Sequence, residues 1–456
     1  MKSSKFTSTP LFPRQALVAL LLPLIAEQAL SVTIGLADTL MVSSVGEAAV
    51  SGVSLVDSFN TLMIQIMSAL ATGGAVVTSQ YIGHQEPKNA KAAAAQILFV
   101  LSSFSVLVAA VVIGGRHAIL RGIFGSIDAD VMHYAETYFL LSALSYPFIG
   151  LYNAGAALFR AQGNSKISML SSLVMNVINI GGNAVLIFGL FGLPALGVQG
   201  AAIATVAARI IELAVIWFYC FRVQKAISIQ PKELLKHESW AWRDYAKFGL
   251  PVGLTDAQWA LVGLLKMAII GYLGKTMMSA MNITDTMINL GTMFTFALAG
   301  GACVLVGKAV GAGDYARARQ YSQTIQVLFA CVGVVMCTIV FSLRSPFISL
   351  YGQEQDVVTL ASQMIAIGAV TLLGTTYHAS CFVGINRGAG DSRFVMTVDM
   401  ICGWLVVLPL TYLAAFVWKL PLPLVFLCTR IDQCFKWIIA MVRLRGDRWI
   451  KNVTRP

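Results

Sequence analysis

The sequence predicts an all-α polytopic membrane protein with twelve transmembrane helices in two pseudo-twofold six-helix bundles. Three observations carry that expectation. The 456 residues are 57% apolar and only 12% charged, with a mean hydropathy of +0.76, a balance foreign to a soluble globular domain. Apolar runs of about 20 residues or more, long enough to cross ~30 Å of hydrocarbon, recur along the chain. Finally, the second half repeats the first in register.

The spans fall at 15–42, 49–82, 94–115, 133–157, 166–190, 197–221, 246–273, 279–307, 321–343, 357–383, 394–417 and 421–443. The first begins straight after the short polar start MKSSKFTSTPLFPRQ. No small-residue cleavage pattern precedes it, so it is expected to stay as its own insertion signal. The loops on one side of this count carry Arg14, Lys88, Lys91, Arg160, Lys166, Arg387, Arg393 and the basic tail, whereas the other side carries only Arg116, Arg121, Lys275, Arg344 and Lys419. The positive-inside rule then places both termini in the cytoplasm of a multi-pass cell-membrane protein. The formal charge of +11 therefore reports topology, and no nucleic-acid partner is expected. Eight cysteines lie in or beside apolar runs without metal-site spacing and read as small buried hydrophobes.

The repeat is specific. Pro23, Gly35, Gly46, Ser51, Asp57, Gly73 and Gly83 recur as Pro251, Gly263, Gly274, Ser279, Asp285, Gly301 and Gly311, each 228 positions later. After one lost residue, Arg160, Gly163, Ser165 and Lys166 recur as Arg387, Gly390, Ser392 and Arg393. The expected organisation is an N-terminal six-helix lobe at 1–221, a cytoplasmic linker at 222–247 and a C-terminal six-helix lobe at 248–456. Six is even, so the copies share one orientation and their axis runs along the membrane normal, with a cleft between them.

Asp38, in GLADTLMV, is the leading candidate for chemistry. A carboxylate inside a membrane helix costs ~2.5–3.5 kcal/mol on insertion scales unless a cavity, a partner or a proton relieves it. Eight residues from Gly46 at ~1.5 Å rise place it about 12 Å inside the outer surface. The competing reading is a helix-end acid that reaches the headgroups. Asn179 and Asn183 share a helix face, and with Thr205 they can complete a hard-cation (Na+) site around Asp38 or serve as glue between helices. Glu27 lies eleven residues before Asp38, about 20° away in projection, so both can face one cavity. Lys266 is the repeat counterpart of Asp38 and either faces the cleft as part of a substrate cavity or snorkels outward. Asp57 and Asp285 are read as acids beginning their helices. Met267, Met277, Met278, Met281, Met287 and Met293 either line a drug site or pack. Gly274-Lys275-Thr276 lacks the earlier glycine of a phosphate loop, since position 269 is Ile, and no HExxH or GxSxG occurs, so no enzyme is expected.

With Pro23 before GLADTLMV, the GEAAVSGVS turn, the LFRAQGNSK and INRGAGDSR loops, NAVLIFGLFGLPALGVQGAAIAT and the tail RGDRWIKNV, the chain resembles the multidrug and toxic compound extrusion (MATE) transporters over nearly its whole length. The resemblance implies two V-shaped lobes and export of bulky, often cationic organic compounds in exchange for inward Na+ or H+, with no cofactor. By position it makes Asp38 the coupling carboxylate, Pro23 the bend of the first helix, and Asn179, Asn183, Thr205 and, more loosely, Tyr138 its surroundings. Some members carry Asp at the place of Asn183, a Glu near Trp259 and an acid on the tenth helix. This 357–383 span has no acid, so coupling is expected in the N-terminal lobe. The expected partners are a small organic substrate and membrane lipid, and the chain is expected to act as a monomer. The rival readings are a flippase for a lipid-linked or amphipathic metabolite, which a basic cavity lining would favour, and a non-transporting scaffold.

Overall fold

The structure is a computed structural model that describes residues 44–124, 129–222, 238–352 and 354–454, with positions 23, 26, 27, 30, 41 and 42. Asp38 and most of the first predicted span lie outside the described residues, as does 223–237 of the predicted linker.

Five helices follow in the first half: α1 Glu47–Gly83, α2 Pro87–Phe124, α3 Ala129–Gln162, α4 Lys166–Phe188 and α5 Val198–Arg222. The second half holds α6 Ser239–Gly271, α7 Lys275–Gly311, α8 Tyr315–Ser349, α9 Gln355–Asn386 and α10 Ser392–Val417. Among the described residues these include nine helices long and apolar enough to cross a membrane, with α3 outside that group. Helix α3 is 34 residues long but buries Tyr138, Tyr146, Tyr152 and Asn153 on its inner face. The second to eleventh predicted spans thus each correspond to one helix, usually longer by a few residues at either end.

Three expectations are corrected. The predicted 222–247 linker is too long, because helix resumes at Ser239, where an aromatic and apolar pattern (Trp240, Phe248) already has a face to bury. The last span is not one helix: it runs as α11 Leu422–Thr429, a 3-10 turn Ile431–Cys434 and α12 Lys436–Leu444. Asp57 and Asp285 do not begin their helices, since α1 starts at Glu47 and α7 at Lys275. Ten residues at ~1.5 Å each bury both acids about 15 Å along the helix. The π-helical stretches Tyr245–Gly249 and Ile401–Val407 come just before Pro251 and Pro409. Each wide turn relieves the clash of a helix-interior proline ring with the carbonyl four residues earlier.

The halves pack alike. Helix α1 lies on α3 and α2 on α3 in one lobe, as α7 lies on α9 and α8 on α9 in the other, each around its own apolar core. The lobes meet where α1 and α7 cross near their C-terminal ends. A Cβ at Gly83 would strike the carbonyl oxygen of Lys308, and a Cβ at Gly311 would strike that of Gln80. Gly83 and Gly311 are repeat mates, and so are positions 80 and 308, so the two contacts are images of each other across the pseudo-twofold axis. Gln80, fully buried, donates to the carbonyl oxygen of Gly388 at 3.0 Å and accepts from the Val453 backbone N–H at 2.8 Å. Tyr81 donates to Asp244 at 3.0 Å, and the Tyr245 hydroxyl donates to the Leu70 carbonyl at 3.1 Å. The C-terminal tail is pinned across this end by the Arg319–Asp447 pair and by the Lys451 N–H on the Ala389 carbonyl, with Trp449 buried.

Gly83→Val and Gly311→Val should each destabilise the protein by about 1–3 kcal/mol, the cost of overpacking. Gly114→Val, whose Cβ would meet nothing within 4 Å, should leave the melting midpoint unchanged. Thermal unfolding in detergent checks this, and an unmoved midpoint for both seam variants would refute backbone contact at the crossing.

Candidate functional site

Polar side chains inside membrane helices must be paired or face a cavity, so the buried polar groups map the candidate sites. In the N-terminal lobe Asn179 and Asn183 are fully buried. They stack one turn apart on α4 and hydrogen-bond in sequence: Asn183 Nδ2 donates to Asn179 Oδ1 at 3.2 Å, and Asn179 Nδ2 donates to Thr205 Oγ1 on α5 at 3.0 Å. Thr205 passes the chain on to the Ala201 carbonyl at 3.0 Å. The three residues that the sequence grouped are therefore together. Tyr138, buried on α3, hydrogen-bonds Asp57 on α1. Asn60 donates to the same carboxylate at 3.4 Å and accepts from the Tyr146 hydroxyl at 2.7 Å.

A second acidic group lies toward the other end of the lobe. Glu27 accepts from Ser168 at 2.8 Å and Tyr152 at 3.3 Å, and pairs with Arg160 at 3.4 Å. Glu212, buried on α5, pairs with Arg209 at 2.7 Å and shares Ser172 with Tyr152. Sequence reasoning missed Glu212 and Arg209, although two charges inside the 197–221 run were a readable signal. Pro23 is buried and helical.

The Glu27–Arg160 pair has a counterpart. Arg387, the repeat mate of Arg160, pairs with Asp256 at 2.6 Å, one helical position along from the repeat mate of Glu27. In both lobes the arginine of the RAQGNSK-type loop is tied to an acid on the lobe's own leading helix.

The C-terminal lobe holds a cavity of about 230 Å³, lined among others by Trp259, Lys266, Phe296, Asp399, Arg430, Asp432 and Lys436. Lys266 faces inward here. Lys436 is held between Asp399 at 2.9 Å and Asp432 at 2.7 Å. His378 Nε2 donates to Gln433 Oε1 at 2.6 Å, and Arg430 Nε donates to Thr371 at 2.9 Å. The acid-free 357–383 span thus does not leave this lobe without acids: they enter from α10 and from the broken last span. Met277, Met281 and Met287 pack in the lobe's apolar core, and none of the six methionines lines the cavity. The eight cysteines are free. Among the described residues no three His, Cys, Asp or Glu side chains are grouped to hold a metal ion.

Breaking a buried ion pair from one side strands the other charge. Asp256→Ala leaves Arg387, whose side chain is 4% exposed, without its carboxylate and should cost about 3–5 kcal/mol. Glu27→Ala should cost less, because Arg160 is 21% exposed. Melting midpoints in detergent should fall in that order, and the reverse order would contradict the pairing.

A family model, MatE, matches the chain twice, at residues 23–185 and 251–413, ranges displaced by the repeat's own 228 positions. Among curated relatives, the uncharacterized transporter YisQ of Bacillus subtilis is 28% identical over 99% of both chains. The probable multidrug resistance protein NorM of Thermotoga maritima is 21% identical over 96% of this chain and 94% of its own. Among solved structures, a MATE transporter in a bent conformation superposes with a TM-score of 0.86 at 17% identity, over 95% of each chain. A variant of the Vibrio cholerae MATE transporter VcmN gives a TM-score of 0.86 at 17% identity, over 96% of this chain and 98% of its own.

Proposed function

This chain belongs to the MatE family of multidrug efflux transporters, and we propose that it is a secondary active antiporter that exports bulky organic compounds in exchange for inward H+. The end that carries the basic loops and the tail is cytoplasmic, both termini with it, in the cell membrane. The lobes meet at that end, so the conformation described is sealed toward the cytoplasm.

The observation that carries the reading is the buried chain Asn183–Asn179–Thr205 within the lobe that contains Asp38. A membrane-embedded amide pair offers a carboxylate neutral hydrogen-bond partners in either protonation state, which suits a group that must gain and lose a proton as water access changes. Asn179 Oδ1 already accepts from Asn183 on its own helix, the Thr205 hydroxyl accepts from Asn179 Nδ2, and Asn183 brings no charge. This set supplies no charge beyond that of Asp38 to hold a Na+ ion, whereas a proton needs only the one carboxylate, which favours the proton. One charge moving inward through 100 mV supplies ~2.3 kcal/mol, enough for roughly a fiftyfold gradient. Neutralising Asp38 on the helix that carries Pro23 then reshapes the lobe and releases cargo. A single chain supplies both lobes and therefore suffices as the transporting unit.

Efflux of a fluorescent organic cation from proteoliposomes under imposed H+ or Na+ gradients tests this. An inwardly directed H+ gradient should drive transport, and Asp38→Asn should reduce it at least tenfold. Asn179→Ala, which breaks the chain at its centre, should also slow it. Transport driven by Na+ alone would replace the proton. Full activity of Asp38→Asn under an H+ gradient would remove Asp38 as the coupling site.

A further inference from the structure

We infer that the cavity of the C-terminal lobe is a substrate subsite for a carboxylate on an aromatic compound, held by Lys266 and Arg430. The inference rests on the transport reading above and extends its cargo beyond organic cations.

The two lining acids, Asp399 and Asp432, both close on Lys436 at 2.9 and 2.7 Å, and Asp432 also accepts from Gln433 at 2.9 Å. Lys266 and Arg430 are the other lining cations. Among the described residues neither forms an ion pair, and Arg430 spends only Nε, on Thr371. Asp432 and Asp285 act on both through space without bonding either, and Asp285 is not among the lining residues. The ammonium of Lys266 and the outer nitrogens of Arg430 are therefore donors facing a space of about 230 Å³, in surroundings where charge-assisted hydrogen bonds are strong. Trp259 and Phe296 supply an aromatic wall, edge to face at 6.0 Å, suited to a flat ring.

The break in the last span supports the same site. The backbone leaves α-geometry at Arg430 and Phe435, and the residues of the interruption, Arg430, Asp432 and Gln433, line the cavity. Interrupted membrane helices occur where the freed backbone lines a cavity, and the start of the following half-helix, here at Lys436, favours negative charge.

The test uses the purified full chain in detergent and equilibrium dialysis with three probes of one shape: 2-naphthoate, the uncharged 2-naphthamide and 2-naphthylmethylammonium. The native chain should bind naphthoate at least tenfold more tightly than either analogue. Lys266→Gln and Arg430→Gln should each weaken naphthoate at least tenfold, with a melting curve confirming each fold, whereas Lys266→Arg should retain it. Equal binding of naphthoate and naphthamide, or native affinity in a folded Lys266→Gln, would overturn the inference. So would binding of phosphatidylglycerol in nanodiscs with none of naphthoate, which would assign the cations to a lipid headgroup. No gradient is applied, so a failed efflux assay and a failed subsite are read separately.

Discussion

The close crossing of α1 and α7 is the constraint on which the arrangement depends. Within a bilayer there is no hydrophobic drive to hold two lobes together, because lipid tails are as apolar as leucine, so association relies on packing and hydrogen bonds. Gly83 and Gly311 let the backbones touch. Gln80 then fastens the crossing with bonds to Gly388 and Val453. The symmetry of the glycine contacts follows from the duplicated sequence, but Gln80 faces Lys308 at the equivalent position. One copy of the seam therefore carries an amide that can donate and accept, and the other an ammonium that can only donate. The tail, which only the second half possesses, docks on the amide side.

That divergence recurs in the lobe interiors. The halves share a packing scheme down to the arginine that each returns to its own leading helix, yet they fill it with different polar chemistry. The N-terminal lobe buries neutral amides, hydroxyls and carboxylates. The C-terminal lobe buries three cations around a cavity, with Lys266 at the repeat position of Asp38. Duplication supplies two bundles of the same shape, and exchange of single buried residues gives each its own polar chemistry. The proposed division of labour between lobes has this physical basis.

The existence of the second to eleventh spans was legible because it rests on length and hydropathy, which a bilayer imposes strictly, and the repeat because residue identities recur at a fixed offset. The stacking of Asn179 on Asn183 was legible from their four-residue spacing, and Thr205 joined them through the resemblance to the family. The bond of Tyr138 to Asp57 on α1 was not legible, because helical phase between different helices cannot be read from one chain. Asp57 and Asp285 were misread because the helices extend beyond the apolar runs, which puts an acid that borders a run well inside a helix. The cluster of Asp399, Arg430, Asp432 and Lys436 was overlooked, although four charges in two apolar runs, two of them four residues apart, were visible. Its members come from α10 and both sides of a helix break, and averaging hydropathy over a whole span conceals such a break.

Alternating access requires the same seam to open that now closes the basic end. Small residues at a membrane crossing allow this, because glycine contacts are lost without burying or stranding side chains, and Gln80 can exchange backbone partners for water as the gap hydrates. The ion pairs Glu27–Arg160 and Asp256–Arg387 lie within single lobes and need not break. The buried ion pairs thus stay closed while the interface that moves is built from backbone contacts and hydrogen bonds, most of them neutral and worth about 0.5–1.5 kcal/mol net each, with Tyr81 to Asp244 the charged exception. Each such bond is smaller than the ~2.3 kcal/mol that one charge gains across 100 mV, so on the transport reading proposed above one coupled charge would offset one or more of them.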